Sequence, residues 1–368
     1  MIGVAIVGTG FGQKVHIPAF QAHHKTEIVA VYHRDINKAQ SIATANNIPY
    51  ASDSLTEILA LSEVHAVSIS TPPFLHYEMA KKVLEAGKHL LLEKPVTLNA
   101  TEAKELYQLA KNKGVIATVD FEFRFIPAWQ FFAQLLSSNY VGNIRLIKID
   151  WLGASRADVS RPWNWYSAKD QGGGALGSLG SHAFDYINWL FGTVHKLNAH
   201  LSTAITERID PANGELKAVN TDDTCMLSLE LANGTPCQVA ISAVVHAERT
   251  HRVEVYGDKG TIILGNDNQK DYIHGFRVWS FQPGEPLTEI EIPKQLLFPQ
   301  HYNDGRICAF LRVVDEWVKG IETQQEITPS LREGVYSQLL MDLSHQSNDL
   351  GSWVNVPSLG EFLGNTKK

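Results

Sequence analysis

Cysteine is scarce in this chain. Its three thiols, Cys225, Cys237 and Cys308, are odd in number and widely spaced, which argues against a disulfide framework or a zinc site. They read as small buried hydrophobes in a reducing compartment. A surplus of basic charge is also missing: 32 Lys and Arg stand against 39 Asp and Glu, a net charge of -7. That balance offers nucleic acid no electrostatic footprint. No run reaches the ~18 apolar residues that a membrane helix needs. The first residues, Met1-Ile-Gly-Val-Ala-Ile-Val-Gly, have no basic leader and lose their apolar run at the glycines, unlike a signal peptide. The expectation is a cytoplasmic protein with neither nucleic-acid nor membrane partners. What is present is ordinary globular material, 44% hydrophobic and 19% charged over 368 residues. That length predicts two or three domains with ample core and no need of a staple.

The first third of the chain alternates. Apolar, β-rich runs at 2–7, 27–32, 64–70, 88–92 and 115–119 are separated by helical patterns at about 15–24, 36–46, 54–61, 75–86 and 99–113. Thr101 is a candidate cap for the last helix, with Asn99 as the alternative start. Such alternation predicts βαβ units and a parallel sheet. The rhythm then changes. A helix at 126–138, a strand at 143–153 and a helix at 176–191 precede strand patterns at 196–208, 222–232, 235–247, 250–257, 260–265, 276–282 and 287–292. Ala232-Asn233-Gly234 and Gly257-Asp258-Lys259-Gly260 are hairpin signals. The second part is therefore an α+β region on a large, mostly antiparallel open sheet, closed by amphipathic helices at 303–320 and 329–346.

Gly8-Thr9-Gly10-Phe11-Gly12 follows the first strand. Glycines there let the backbone turn tightly and approach a pyrophosphate, which the next helix meets with its free N–H groups. Gln13 stands where the full fingerprint has glycine or alanine, and Gly12 lies one place earlier; a tight turn in an unrelated α/β protein gives the same pattern. At the end of the second strand, His33 and Arg34 occupy the place of the acid that holds an NAD ribose. A cation there suits a 2′-phosphate, and Lys38 adds charge, so NADP is favoured over NAD. Asp35 is within reach of a ribose, and Arg34 also reads as a solvated surface charge. Thr71-Pro72-Pro73-Phe74-Leu75-His76 and Glu93-Lys94-Pro95 end the third and fourth strands, where open α/β sheets bind ligands. Lys94 there can polarise a substrate hydroxyl or take its proton, or simply pair with Glu93 at the surface.

These motifs, with Gly172-Gly173-Gly174-Ala175-Leu176 and the later Gly180, His182 and Asp185, resemble the glucose–fructose oxidoreductase / inositol dehydrogenase / rhizopine-catabolism (Gfo/Idh/MocA) family over nearly the whole chain. The resemblance implies an N-terminal Rossmann domain at 1–122 and a substrate-binding and oligomerisation domain at 123–368, the last helices free to pack back on the first. It implies a nicotinamide-dependent oxidoreductase acting on a sugar, cyclitol or related molecule. Lys94 matches the family's catalytic lysine, preceding a proline bond that is often cis. His182 matches its acid/base histidine. The cofactor set is then Gly8, Thr9, Gly10, Phe11, Gly12, His33, Arg34, Lys38, Thr71, Pro72, His76, Glu93 and Lys94. One departure stands out: Ser178 replaces the Asp that inositol-type dehydrogenases carry four residues before the histidine.

Arg124, Trp163, Trp165, Tyr166, Ser178 and Asp185 complete a candidate substrate set, aromatic faces beside polar groups suiting a sugar ring; Arg124 suits the domain interface equally, and each aromatic a loop packed against the sheet. His182 and Asp185 lie one helical turn apart and share a face. No third ligand is spaced for a metal, so none is expected. His23 and His24 read as surface residues, and Gly172-Gly173-Gly174 as a mobile entry to the His182 helix, with the loop before it acting as a lid. Two other chemistries fit the same motifs: a lyase or glycosidase that oxidises its sugar transiently and keeps its dinucleotide, and a non-catalytic dinucleotide sensor. An exposed sheet face predicts a homodimer or homotetramer.

Overall fold

The computed structural model describes residues 1–247, 250–266, 268 and 272–364. Strands β1 (Ile2–Val7), β2 (Thr26–Tyr32), β3 (Tyr50–Ser52), β4 (Ala66–Ile69), β5 (His89–Leu92) and β6 (Ala117–Val119) form a parallel sheet in the order β3-β2-β1-β4-β5-β6. Val4 to Val7 and Leu90 to Leu92 are fully buried, which is why these strands are continuous apolar runs rather than alternating ones. Helices α1 (Ile17–Ala22), α2 (Ile36–Asn46), α3 (Leu55–Ala60), α4 (His76–Glu85) and α5 (Ala100–Lys113) connect them. Asp35, Ser54 and Asn99 cap α2, α3 and α5 through their side chains. The cap of α5 is therefore Asn99, not Thr101. The three-residue β3 is too short to leave a pattern in the sequence. Strand order reverses between β1 and β4, the switch point at which such sheets hold ligands.

The second unit comprises residues 123–299 and 339–368. It opens with α6 (Pro127–Ser137), β7 (Ile144–Leu152) and α7 (Ser181–Phe191), the last preceded by a wide π-turn at Leu176–Gly180. Then follow β8 (Val194–Ser202), β9 (Glu207–Ile209), β10 (Leu216–Ala218), β11 (Thr224–Leu231), β12 (Pro236–Ser242), β13 (His251–Gly257), β14 (Thr261–Asn266), β15 (Phe276–Phe281) and β16 (Thr288–Ile290). The sequence predicts one strand over 196–208. The structure has two, because Ala204 and Ile205 donate their N–H groups to the Asp223 carboxylate (2.7 and 2.9 Å) instead of to a neighbouring strand. β9 pairs with β10 apart from the main sheet.

Helices α8 (Arg306–Thr323), α9 (Leu331–Leu350) and α10 (Leu359–Leu363) end the chain, with β17 (Val354–Asn355) before α10. The nine-stranded sheet runs β16-β15-β14-β13-β7-β12-β11-β8-β17, parallel between β7 and β12 and antiparallel elsewhere. Its inner face buries Ile147, Ile149, Leu227, Val239, Ile241, Val253 and Val255. Its open face alternates polar with apolar: Lys148, Asp150, Arg252 and Glu254 share it with Met226.

Residues 300–338 belong to the first unit, with 1–122. There α8 closes over α1: the His16 ring stacks on Phe310 at 4.1 Å, and Phe20 meets both Phe310 and Trp317. His23, expected at the surface, is buried and pairs with Asp315 at 3.2 Å.

Candidate active site

Three glycines shape the loop after β1, each for a different reason. Gly8 has a φ of +101°, and a Cβ there would lie 2.6 Å from the Ser70 carbonyl carbon. A Cβ on Gly12 would lie 2.5 Å from the Ser70 hydroxyl. Gly10 is exposed with open space around it. The two outer glycines thus let the loop pack onto the end of β4, and the middle one leaves backbone accessible where a pyrophosphate would approach. Thr9 and Phe11 are partly exposed, and the Arg306 guanidinium lies 5.1 Å from the Phe11 ring. These residues fit a dinucleotide.

At the end of β2, Asp35 caps α2 by accepting the Asn37 N–H at 3.0 Å, and its own N–H goes to His33 Nδ1 at 2.9 Å. Arg34 and Lys38 are exposed and pair with no acid among the described residues. Across the switch point, Thr71 and Pro72 follow β4 on the same rim. His76 is fully buried, its Nδ1 2.8 Å from the Pro95 carbonyl and its Nε2 2.7 Å from that of Thr71. From its place after β4, His76 is expected at the cofactor. In the structure it ties the two ligand-side loops together from below. Burial holds its pKa down against the pull of those carbonyls.

Lys94 follows β5, and the Lys94–Pro95 bond is cis. Its neighbours are carboxylates from separate parts of the chain. Glu93 is buried and bonded to His16 Nε2 at 3.1 Å, while His16 Nδ1 meets Ser68 at 2.8 Å. Glu93 is therefore anchored beneath the loop by His16. Asp120 ends β6 in register beside it, since Leu92 pairs with Val119. Burial raises Asp120 well above the usual carboxylate range and lifts Glu122 to about 7, while the Lys94 ammonium opposes both shifts. Burial also pushes Glu93 upward, but the His16 hydrogen bond and the charges of His16 and Lys94 outweigh it and hold it low. The donor atoms of His16, Glu93 and Asp120 lie within 4.8 Å of one another. Three ligand-type groups thus meet that spacing along the chain does not reveal, but both His16 nitrogens are already engaged. The available signal was Asp-x-Glu directly after the fifth apolar run.

In the second unit, His182 is buried at the start of α7, edge-on to Phe123 with ring centroids 4.9 Å apart. Asp185, one helical turn further along α7, forms a buried two-pronged ion pair with Arg124 (2.7 and 2.8 Å). Arg124 and Asp185 thus hold each other through charge-assisted bonds. Ser178, one turn before His182, donates to the Gly174 carbonyl at 2.7 Å. Trp163 donates its Nε1–H to Ala218 at 3.0 Å under the Lys217 ammonium, and Trp165 stacks on Tyr166 at 3.8 Å. A Cβ on Gly173 would meet Tyr166 backbone at 2.5 Å, and one on Gly174 would meet Asp222 at 2.5 Å. These glycines permit close packing rather than a loose hinge.

Residues 2–121 match the model of the GFO/IDH/MocA oxidoreductase family's NAD-binding Rossmann fold, and residues 133–356 that of its C-terminal alpha/beta domain. The chain belongs to the Gfo/Idh/MocA family. An uncharacterized oxidoreductase of Synechocystis is 54% identical to it over 98% of this chain and 97% of that protein. A levoglucosan dehydrogenase of Pseudarthrobacter phenanthrenivorans is 26% identical over 97% and 99% of the two chains. The solved structure of levoglucosan dehydrogenase with NADH and L-sorbose matches with a TM-score of 0.88 at 24% identity, covering 98% of this chain and 100% of that one; at that identity the likeness is one of fold. This Gfo/Idh/MocA protein is an oxidoreductase whose N-terminal unit is the family's nicotinamide-dinucleotide fold. Among the described residues, no helix is long and apolar enough to cross a membrane.

Proposed function

We propose that this protein is an NADP-dependent dehydrogenase that moves hydride between the nicotinamide and a secondary alcohol or carbonyl of a sugar, cyclitol or related polyhydroxylated molecule. The observation that carries this reading is Lys94, held at the carboxyl end of β5 among buried carboxylates, on the sheet rim that also bears the glycine cradle. Names of relatives agree with the substrate class, levoglucosan dehydrogenase among them. When bound, the nicotinamide supplies the hydride acceptor or donor. In oxidation, Lys94 takes the hydroxyl proton as the carbinol C–H leaves as hydride and the carbonyl forms; in reduction its ammonium returns that proton. His182 shares the transfer. Glycines 8, 10 and 12 hold the pyrophosphate.

The preference for NADP rests on the end of β2. Asp35 is occupied as a helix cap, while Arg34 and Lys38 stand exposed and, among the described residues, form no ion pair. A 2′-phosphate would give Arg34 a charge-assisted partner that none of the described residues provides.

The test is Lys94→Ala, assayed over a panel of polyols and sugars. It should retain dinucleotide binding, read by calorimetry, and lose turnover by about 10²-fold or more. Undiminished turnover would sink the assignment. Arg34→Ala should weaken NADP by about tenfold and leave NAD within about twofold; equal losses would point to NAD. Turnover without net formation of reduced nicotinamide would favour transient oxidation instead, and binding without any turnover a sensor.

A further inference from the structure

The second unit holds a small pocket beside Ser178 that the glycine cradle and Lys94 do not explain. It has a volume of about 40 Å³ and is lined by Arg156, Tyr166, Ser178, Arg208 and Asp223 among others. Two of these are guanidinium groups, and neither has a carboxylate within ion-pair distance among the described residues. Arg208 is buried and turns its N–H groups to backbone carbonyls: NH1 to Asp158 at 2.9 Å, NH2 to Arg156 at 2.6 Å. Arg156 is partly buried and lies flat over the Tyr166 ring at 3.7 Å. The acid in the pocket is Asp223, and its oxygens are occupied. One accepts the N–H groups of Ala204 and Ile205, the other the Thr224 hydroxyl at 3.2 Å.

A cation withdrawn from water without a counter-ion is costly, and the cost is relieved when a partner of opposite charge arrives. Arg156 offers a planar donor fork of the shape a carboxylate matches with two parallel hydrogen bonds. The Ser178 hydroxyl lines the same pocket, its proton directed to the Gly174 carbonyl. The enclosed volume suits a head group of a few atoms. A phosphoryl group, with more charge and a third oxygen, would call on donors that Arg208 has already given to backbone. Ser178 precedes His182 by one helical turn, about 6 Å along the axis. That is roughly the reach from a reacting ring carbon to a terminal substituent.

We propose that this pocket receives the carboxylate of the substrate, and that the enzyme's preferred sugar is a sugar acid rather than a neutral sugar. The inference rests on the dehydrogenase reading above, which leaves the substrate's charge open. It makes Arg156 the residue that selects on charge, with Tyr166 holding its guanidinium in place.

Calorimetry on the dinucleotide-loaded protein tests it without requiring turnover. The probes are glucuronate, galacturonate, gluconate, glucose and a hexose phosphate. At least one sugar acid should bind about tenfold or more tightly than glucose and than the hexose phosphate, a difference of ~1.4 kcal/mol. In Arg156→Gln that ratio should fall below about threefold, and Arg156→Lys should keep an intermediate preference, having the charge but not the fork. Arg208 grips the backbone carbonyl of residue 156, not its side chain, so both variants retain the loop's anchor. Equal binding of acids and glucose, preference for the phosphate, or an acid preference that survives Arg156→Gln would each overturn the inference. Oxidation of neutral sugars alone would remove the sugar acid and leave the dehydrogenase standing. Acid binding through Arg156 with no hydride transfer from any probe would do the reverse.

Discussion

Lys94 stands among three carboxylates of unequal charge. Glu93 is held as an anion by His16, whereas burial favours the protonated forms of Asp120 and Glu122. The last of these has a consequence for stability. Glu122 titrates near 7 in the folded protein against an ordinary 4.5, so between those values the folded state keeps a proton that the unfolded chain has released. Stability from this residue is therefore present below about 4.5 and lost as pH rises toward 7. Glu122→Gln, which cannot ionise, should flatten the fall in melting temperature between pH ~5 and ~8 by a few degrees, roughly 1–2 kcal/mol. Parallel pH profiles for the two proteins would refute this. At this scale the sequence discloses groups that are neighbours in the chain, such as Gly8 to Gly12 and Glu93 to Pro95. It hides His16, Ser68 and Asp120, because strand order alone brings them to Glu93.

The elements show where local pattern suffices and where it does not. Five helices of the first unit are legible from caps and apolar spacing, with the α5 start left between Asn99 and Thr101 because both are good acceptors, and the structure choosing Asn99. The division between β8 and β9 is invisible in their residues, since its cause is an aspartate twenty positions on. Helix α7 teaches the same lesson through Asp185. Helical spacing sets it one turn from His182 but gives no sign of Arg124, whose guanidinium reaches it from another segment. The Arg124–Asp185 pair is almost fully enclosed, so removing one partner leaves a charge stranded. Arg124→Met or Asp185→Leu alone should cost about 3–5 kcal/mol of stability, and the double variant appreciably less than the sum. Denaturant titration reads this directly, and additive losses would show that the two side chains act independently.

For the molecule as a whole, the family and the two kinds of sheet were readable from the order of the motifs, because each motif sits at a strand end that topology then fixes. The state of assembly was not. The prediction from sequence was an apolar sheet face in need of a partner; the open face instead interleaves Lys148, Asp150, Arg252 and Glu254 with Leu146 and Met226. Such a mixed surface suits an interface of matched charges as well as exposure to water. We still expect a dimer or tetramer through this face. Sedimentation equilibrium at micromolar concentration should show it, with weakening at high salt if the charges contribute. A monomer at every concentration would remove the expectation.

The dinucleotide-binding unit is assembled from two separated stretches, 1–122 and 300–338. It is therefore not a module that could have been appended to, or cut from, the rest of the chain at a single junction. His16, which anchors Glu93 beneath Lys94, is itself roofed by Phe310, a residue almost two hundred positions after the last strand of the parallel sheet. A ribosome that has finished the parallel sheet has not yet made its lid. The nascent first unit must wait, with the Phe20 and His16 surface uncovered, while the entire nine-stranded region except its last edge is synthesised. Folding of this enzyme is thus ordered by connectivity: the part that binds the cofactor is begun first and completed late.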